Sequence, residues 1–150
     1  MMKTRDIKPD DYEFFSKYAR AEDVAECVSV SKKPLSDHIR IGKEMSVESF
    51  ALVDSKDRPC ALYGLIVDKE GFSVPWLLTT VFIDKHKLSF MKQVKKEVRR
   101  WYQKYGTLWL LTDLRYKGAV NLNLWVGFKQ VGKNVRINGV DFGIFKYVED

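Results

Sequence analysis

The feature that most constrains this chain is a long amphipathic helix placed between two apolar runs. Met91, Val94, Val98, Trp101 and Tyr105 recur at i, i+3, i+7, i+10 and i+14. At roughly 100° per residue they form a stripe about 80° wide, with Lys92, Lys95, Lys96, Arg99 and Arg100 on the opposite side. The spacing predicts a helix over 87–105, closed by Gly106 in the position a helix C-terminus favours. The flanking runs, residues 72–82 and 107–111, are rich in β-branched and aromatic residues and read as strands. Two strands joined through a long helix are expected to lie parallel, with a right-handed crossover.

The remaining pattern extends this unit. A short strand over 3–8 precedes a helix opened by Pro9-Asp10-Asp11, with Tyr12, Phe15, Tyr18 and Ala19 on one face. A second helix is expected over 22–31, with Val24, Cys27 and Val28, and a third from Pro34 towards Lys43. Residues 49–53, 59–67 and 72–82 form a meander whose turns are 54–57 and 68–71. These runs are nearly continuous in apolar residues, which implies a sheet covered on both faces. After the basic turn Arg115-Tyr116-Lys117-Gly118 come a short helix over 119–126 and a hairpin, 131–137 with 140–147. Asn138-Gly139 between its strands is a strong two-residue turn signal. The expected order is β-α-α-β-β-β-α-β-α-β-β: an α/β fold with a mixed sheet, helices on both faces, and one domain over 1–150.

Charge sharpens the picture. The chain has 150 residues and a formal net charge of +6. Residues 85–104 hold eight Lys or Arg against one acid, Glu97, so this segment alone carries +7 and the rest about −1. Lys92, Lys95, Lys96, Arg99 and Arg100 are therefore the candidate surface for an acidic partner or a nucleic acid. The bland alternative is the solvated side of an amphipathic helix. With 45% apolar and 31% charged residues the composition fits neither a disordered chain nor a membrane protein. No apolar run approaches the roughly 18 residues that span a bilayer. Residues 1–11 are polar and show no signal-peptide or lipidation pattern, so a cytoplasmic location is expected.

Other chemistry is thinly represented. Cys27 and Cys60 make no disulfide framework and are expected to be small buried hydrophobes in a reducing compartment. His38 and His86 stand 48 residues apart without ligand spacing, so no metal site is expected. Most of Trp76, Trp101, Trp109 and Trp125 are expected in the core.

The element order, the 72–111 crossover and the sequence Ala119, Leu122, Gly127-Phe128 resemble the GNAT fold of GCN5-related N-acetyltransferases. The resemblance covers nearly the whole chain. It implies acetyl-CoA bound between the central parallel strands, its pyrophosphate held by glycine-borne N–H groups before the long helix. Here that loop reads Ile83-Asp84-Lys85-His86-Lys87-Leu88-Ser89, and no glycine occurs between Gly71 and Gly106. Side chains would obstruct the approach of a diphosphate and Asp84 would repel it, while Lys85, His86 and Lys87 supply charge. A divergent acyl-CoA site would therefore use Thr80, Val81, Phe82, Lys85, His86 and Lys87. Asn123 stands where the family often has an acidic tyrosine, Tyr116 where it has an asparagine, and residues 72–83 contain no carboxylate. Asp84 and Asp113 are the nearby ionisable groups.

The stretch Lys104-Tyr105-Gly106-Thr107-Leu108-Trp109, with Gly127-Phe128 and residues 142–147, further resembles GNAT-like internal virion or assembly proteins of short-tailed, T7-like bacteriophages. That resemblance implies a catalytically impaired scaffold acting through contacts with phage structural proteins, in host cytoplasm or virion. Acetyl-CoA is then a permitted ligand and not a required one. The competing expectations are an active N-acyltransferase with a divergent loop, and a module whose basic helix binds nucleic acid or an acidic partner.

Overall fold

A computed structural model describes residues 2–21 and 33–149. The helix expected over 22–31, including Cys27, lies outside them. The elements are β1 (Lys3–Arg5), α1 (Pro9–Tyr18), α2 (Leu35–Met45), β2 (Ser46–Val53), β3 (Pro59–Val67) and β4 (Ser73–Thr79). A 3-10 turn (Val81–His86), α3 (Lys87–Tyr105), β5 (Leu108–Asp113), α4 (Lys117–Val126), β6 (Lys129–Ile137) and β7 (Val140–Tyr147) follow. The strands form one sheet in the order β1-β2-β3-β4-β5-β7-β6. All neighbours are antiparallel except β4 and β5, which are parallel as the crossover requires. The α/β class with a mixed sheet and helices on both faces stands as expected.

Two cores of opposite strand parity explain the continuous apolar runs. Leu52, Ala61, Tyr63 and Leu65 pack with Phe90, Val98 and Trp101 under α3. Ala51, Val53, Leu62 and Leu78 pack with Phe15 of α1 and Ile39 of α2 on the other side. Alternate residues of one strand thus feed different cores, so neither parity is left polar. Cys60 is fully buried, as expected, and burial pushes its thiol up to about 11. Trp101 is buried, but Trp125 on α4 is 44% exposed.

The centre of the sheet opens. β4 and β5 pair at Ser73 and Leu108, the start of both strands, and at no other described residue. They diverge towards Thr79 and Asp113. The apolar run 72–82 is not one strand: β4 ends at Thr79, and Val81 and Phe82 belong to the 3-10 turn. Phe82 packs against the core under α3 and also on α1, its ring centroid 5.8 Å from Phe14 and 5.2 Å from Tyr18, with the Arg58 guanidinium 4.6 Å over it. Hydrophobicity marked Phe82 for burial but could not distinguish a sheet from a plug.

The turn signals are realised locally. Asn138 and Gly139 have φ of 48° and 79°, the left-handed pair a type I′ hairpin needs. Gly64 serves close approach: a Cβ there would stand 2.6 Å from Trp76 Nε1 and 2.7 Å from the Glu48 carbonyl oxygen. That space lets the indole cross β3 and donate to Ser46 Oγ at 2.7 Å. Gly64→Ala is expected to destabilise the fold by about 1–3 kcal/mol through overpacking, read as a lower urea midpoint in equilibrium unfolding.

Candidate functional site

The junction between β4 and α3 carries the expected cofactor residues, and Thr80 organises it. Thr80 is fully buried. Its N–H donates to the Cys60 carbonyl at 3.0 Å, and its hydroxyl donates to the Pro59 carbonyl at 2.8 Å. The same hydroxyl accepts the Phe82 N–H at 3.3 Å, while the Thr80 carbonyl accepts the Ile83 N–H at 3.1 Å. The next N–H groups lie in a 3-10 run, whose geometry directs them to carbonyls three residues back. A segment after α1 crosses this end of the sheet: Ala19 bridges Thr80, and the Arg20 N–H donates to the Thr79 carbonyl at 3.0 Å. The structure thus places Thr80, Val81 and Phe82 together at the end of β4, with Thr80 and Phe82 engaged in packing and bonding inside the protein. Val81, Lys85 and Lys87 are exposed, and His86 is the N-cap of α3 without a side-chain capping bond.

The carboxylates around the diverging strands are all paired with cations. Asp84 meets Arg20 across the junction. Asp113 is fully buried at the end of β5; burial would raise its carboxyl, but hydrogen bonds from the Arg115 side chain and N–H hold it below its usual range. Asn123 donates to Thr112 Oγ1 at 2.9 Å, so the position of the family's tyrosine holds an amide engaged with β5. Between the sheet and helices α3 and α4 lies a cavity of about 100 Å3, walled by Pro75 and Leu77 of β4, Leu110 of β5, and Val94, Leu122 and Val126. Its polar margin is Gln93, Glu97 and Asn123.

Two acids hold positions that the charge count does not reveal. Glu97 is buried on the sheet side of α3 and binds Arg100. Its place, three residues after Val94 and four before Trp101, puts it at the edge of the apolar stripe, about 40° from Trp101. Glu48, on β2, accepts from Arg100, from Lys104 Nζ at 3.2 Å and from the Tyr105 hydroxyl at 2.8 Å. Burial would raise the Glu48 carboxyl, but bonds from Arg100, Tyr105 and Lys104 outweigh it and hold the group at about 2. No local pattern links residues 52 positions apart.

The basic face is consequently divided. Arg100 shares a groove with Lys92, Lys95, Lys96 and Arg99 but is paired with Glu48 and Glu97. Arg99 lies 3.5 Å from Glu149, and Lys95 Nζ sits 4.7 Å from the centre of the Trp125 ring. Among the described residues no carboxylate lies within ion-pair distance of Lys92, Lys95 or Lys96. These side chains and Arg99 line an open groove along α3. Among the described residues there is no group of three His, Cys, Asp or Glu side chains that could hold a metal ion, and no helix long and apolar enough to cross a membrane.

Solved structures with this arrangement are acetyltransferases of the GNAT family. One from Bacillus anthracis superposes with a TM-score of 0.72 at 8% identity, covering 98% of this chain and 94% of its own. The spermidine N-acetyltransferase of Vibrio cholerae, solved with CoA and spermine, gives a TM-score of 0.71 at 13% identity, covering 97% and 94%. No protein-family model matches the chain, and no curated protein matches it in sequence. The fold is therefore GNAT, and neither of these two structures is a phage virion protein.

The Glu48 cluster has a measurable pH signature. A carboxyl held at about 2 in the folded chain and near 4.5 otherwise contributes stability above pH 4.5 and loses it as pH falls towards 2. Glu48→Gln should lower the urea midpoint at pH 6 and lose less than the parent between pH 5 and pH 3. An equal acid dependence in both proteins would contradict the assignment.

Proposed function

We propose that this chain is a GNAT scaffold with impaired acyl transfer, working through contacts with other proteins. The observation that carries the reading is the β4–α3 junction, where Thr80 takes up the N–H groups of Phe82 and Ile83 and the Phe82 ring is wedged against α1. A pyrophosphate needs such groups unpaired and reachable. Aminolysis of a thioester also needs a base for the amine proton and a donor for the leaving thiolate. Asp84, Asp113, Glu97 and Glu48 are each committed to a cation, and an ion-paired carboxylate is a poor base. Asn123 has no acidic proton to give.

One pair of observations favours the competing reading, an acyl-CoA site of divergent form. Helix α3 starts at Lys87 with no acid in its first turn and with Lys85 just before it, and the cavity between the sheet and helices α3 and α4 is mainly apolar. In that case Lys85, His86 and Lys87 would hold the anionic end of the cofactor, and the thioester would lie towards the cavity. For the partners, structural proteins of a short-tailed phage, the support is the sequence pattern of Lys104–Trp109, Gly127-Phe128 and residues 142–147.

Calorimetric titration of the full chain with acetyl-CoA separates the two. The scaffold reading expects no saturable heat below about 1 mM, and CoA thiol release with a polyamine no faster than without protein. Micromolar binding or catalysed thiol release would overturn it.

A further inference from the structure

The groove along α3 already holds an acid at one end, Glu149 of the chain itself. Beyond β7 the backbone runs onto the basic helix. The Tyr102 hydroxyl donates to the Glu149 carbonyl at 3.1 Å, the Tyr147 hydroxyl donates to Glu149 Oε1 at 2.7 Å, and Arg99 Nε lies 3.5 Å from the same oxygen. A main-chain carbonyl and a carboxylate of one non-helical stretch are thus recognised together at one end of the groove. Farther along, Lys92, Lys95 and Lys96 continue the line with no carboxylate at ion-pair distance among the described residues. Trp125 forms the far wall, its ring partly exposed beneath Lys95.

We propose that this groove binds an acidic, extended peptide segment of a partner protein, with carboxylates on alternate residues paired to Lys92 and Lys96. The inference rests on the reading that the chain works through protein contacts. Lys92 and Lys96 are four residues apart on a helix, about 6 Å along its axis. Alternate residues of an extended chain repeat at about 6.7 Å, so an acid-x-acid motif matches the pair. An apolar residue of the same segment would cover the open part of the Trp125 ring, where aromatic and aliphatic anchors contribute most. A nucleic acid fits less well. Its backbone carries a charge on every repeat and would meet Glu149, and Lys95 already lies over the indole on which a base would stack. A peptide can set a neutral residue beside Glu149.

The test is fluorescence anisotropy of the full chain with three labelled probes: a peptide of alternating Glu and Leu, its Gln and Leu counterpart, and an oligothymidylate of equal charge. The Glu peptide should saturate, weaken at least about ten-fold in the double variant Lys92→Glu, Lys96→Glu, and weaken in high salt. The Gln peptide should not bind, and the circular dichroism of the variant should match the parent because both lysines are exposed. Tighter binding of the oligothymidylate, equal binding of the Glu peptide by the double variant, or no binding of that peptide would each overturn the proposal. Failure of the groove leaves the acetyl-CoA titration unaffected, so the two readings fall separately.

Discussion

The arrangement depends on one buried threonine. Thr80 closes β4, joins β3 through both its N–H and its hydroxyl, and starts the 3-10 turn by engaging the N–H groups of Phe82 and Ile83. Each of these groups would be costly to leave unpaired away from water, so the turn is fixed in one form. The start of α3 is fixed with it, and so is the position of Phe82 against Phe14 and Tyr18. Of the loop 83–89, the first N–H, that of Ile83, is thereby taken up inside the protein.

The far end of α3 is tied down by charge. Glu48 gathers Arg100, Lys104 and Tyr105, and Glu97 adds a second carboxylate to Arg100. Thr80 and Glu48 therefore hold the two ends of one helix against the sheet, and the cavity under α3 lies between those anchors. The consequence for function is that a surplus of positive charge is not a surplus of available charge. Arg100 and Lys104 serve the fold, while Lys92, Lys95 and Lys96 remain for the groove.

Much of the fold was legible because its signals are local. The period of Met91, Val94, Val98 and Trp101 sets α3, and the left-handed requirement of Asn138-Gly139 sets the hairpin. The crossover then follows from chain geometry. The candidate site was legible only in part. The missing glycines and the absence of a carboxylate from residues 72–83 could be read directly, but the end of β4 could not, because Val81 and Phe82 continue its apolar run while Val81 is exposed and Phe82 packs on α1. Glu48 and Arg100 meet across 52 residues, and only the folded chain brings them together. Trp125 looks like a core residue by type, yet its face of α4 turns outward beside Lys95.

The most direct test of the central claim is amide hydrogen exchange across residues 79–90, with and without acetyl-CoA. If Thr80 occupies the N–H groups of Phe82 and Ile83, both amides should be strongly protected in the protein alone and unchanged at about 1 mM acetyl-CoA. Fast exchange at those two amides, with protection gained on adding acetyl-CoA, would contradict the account and make the junction a working cofactor site.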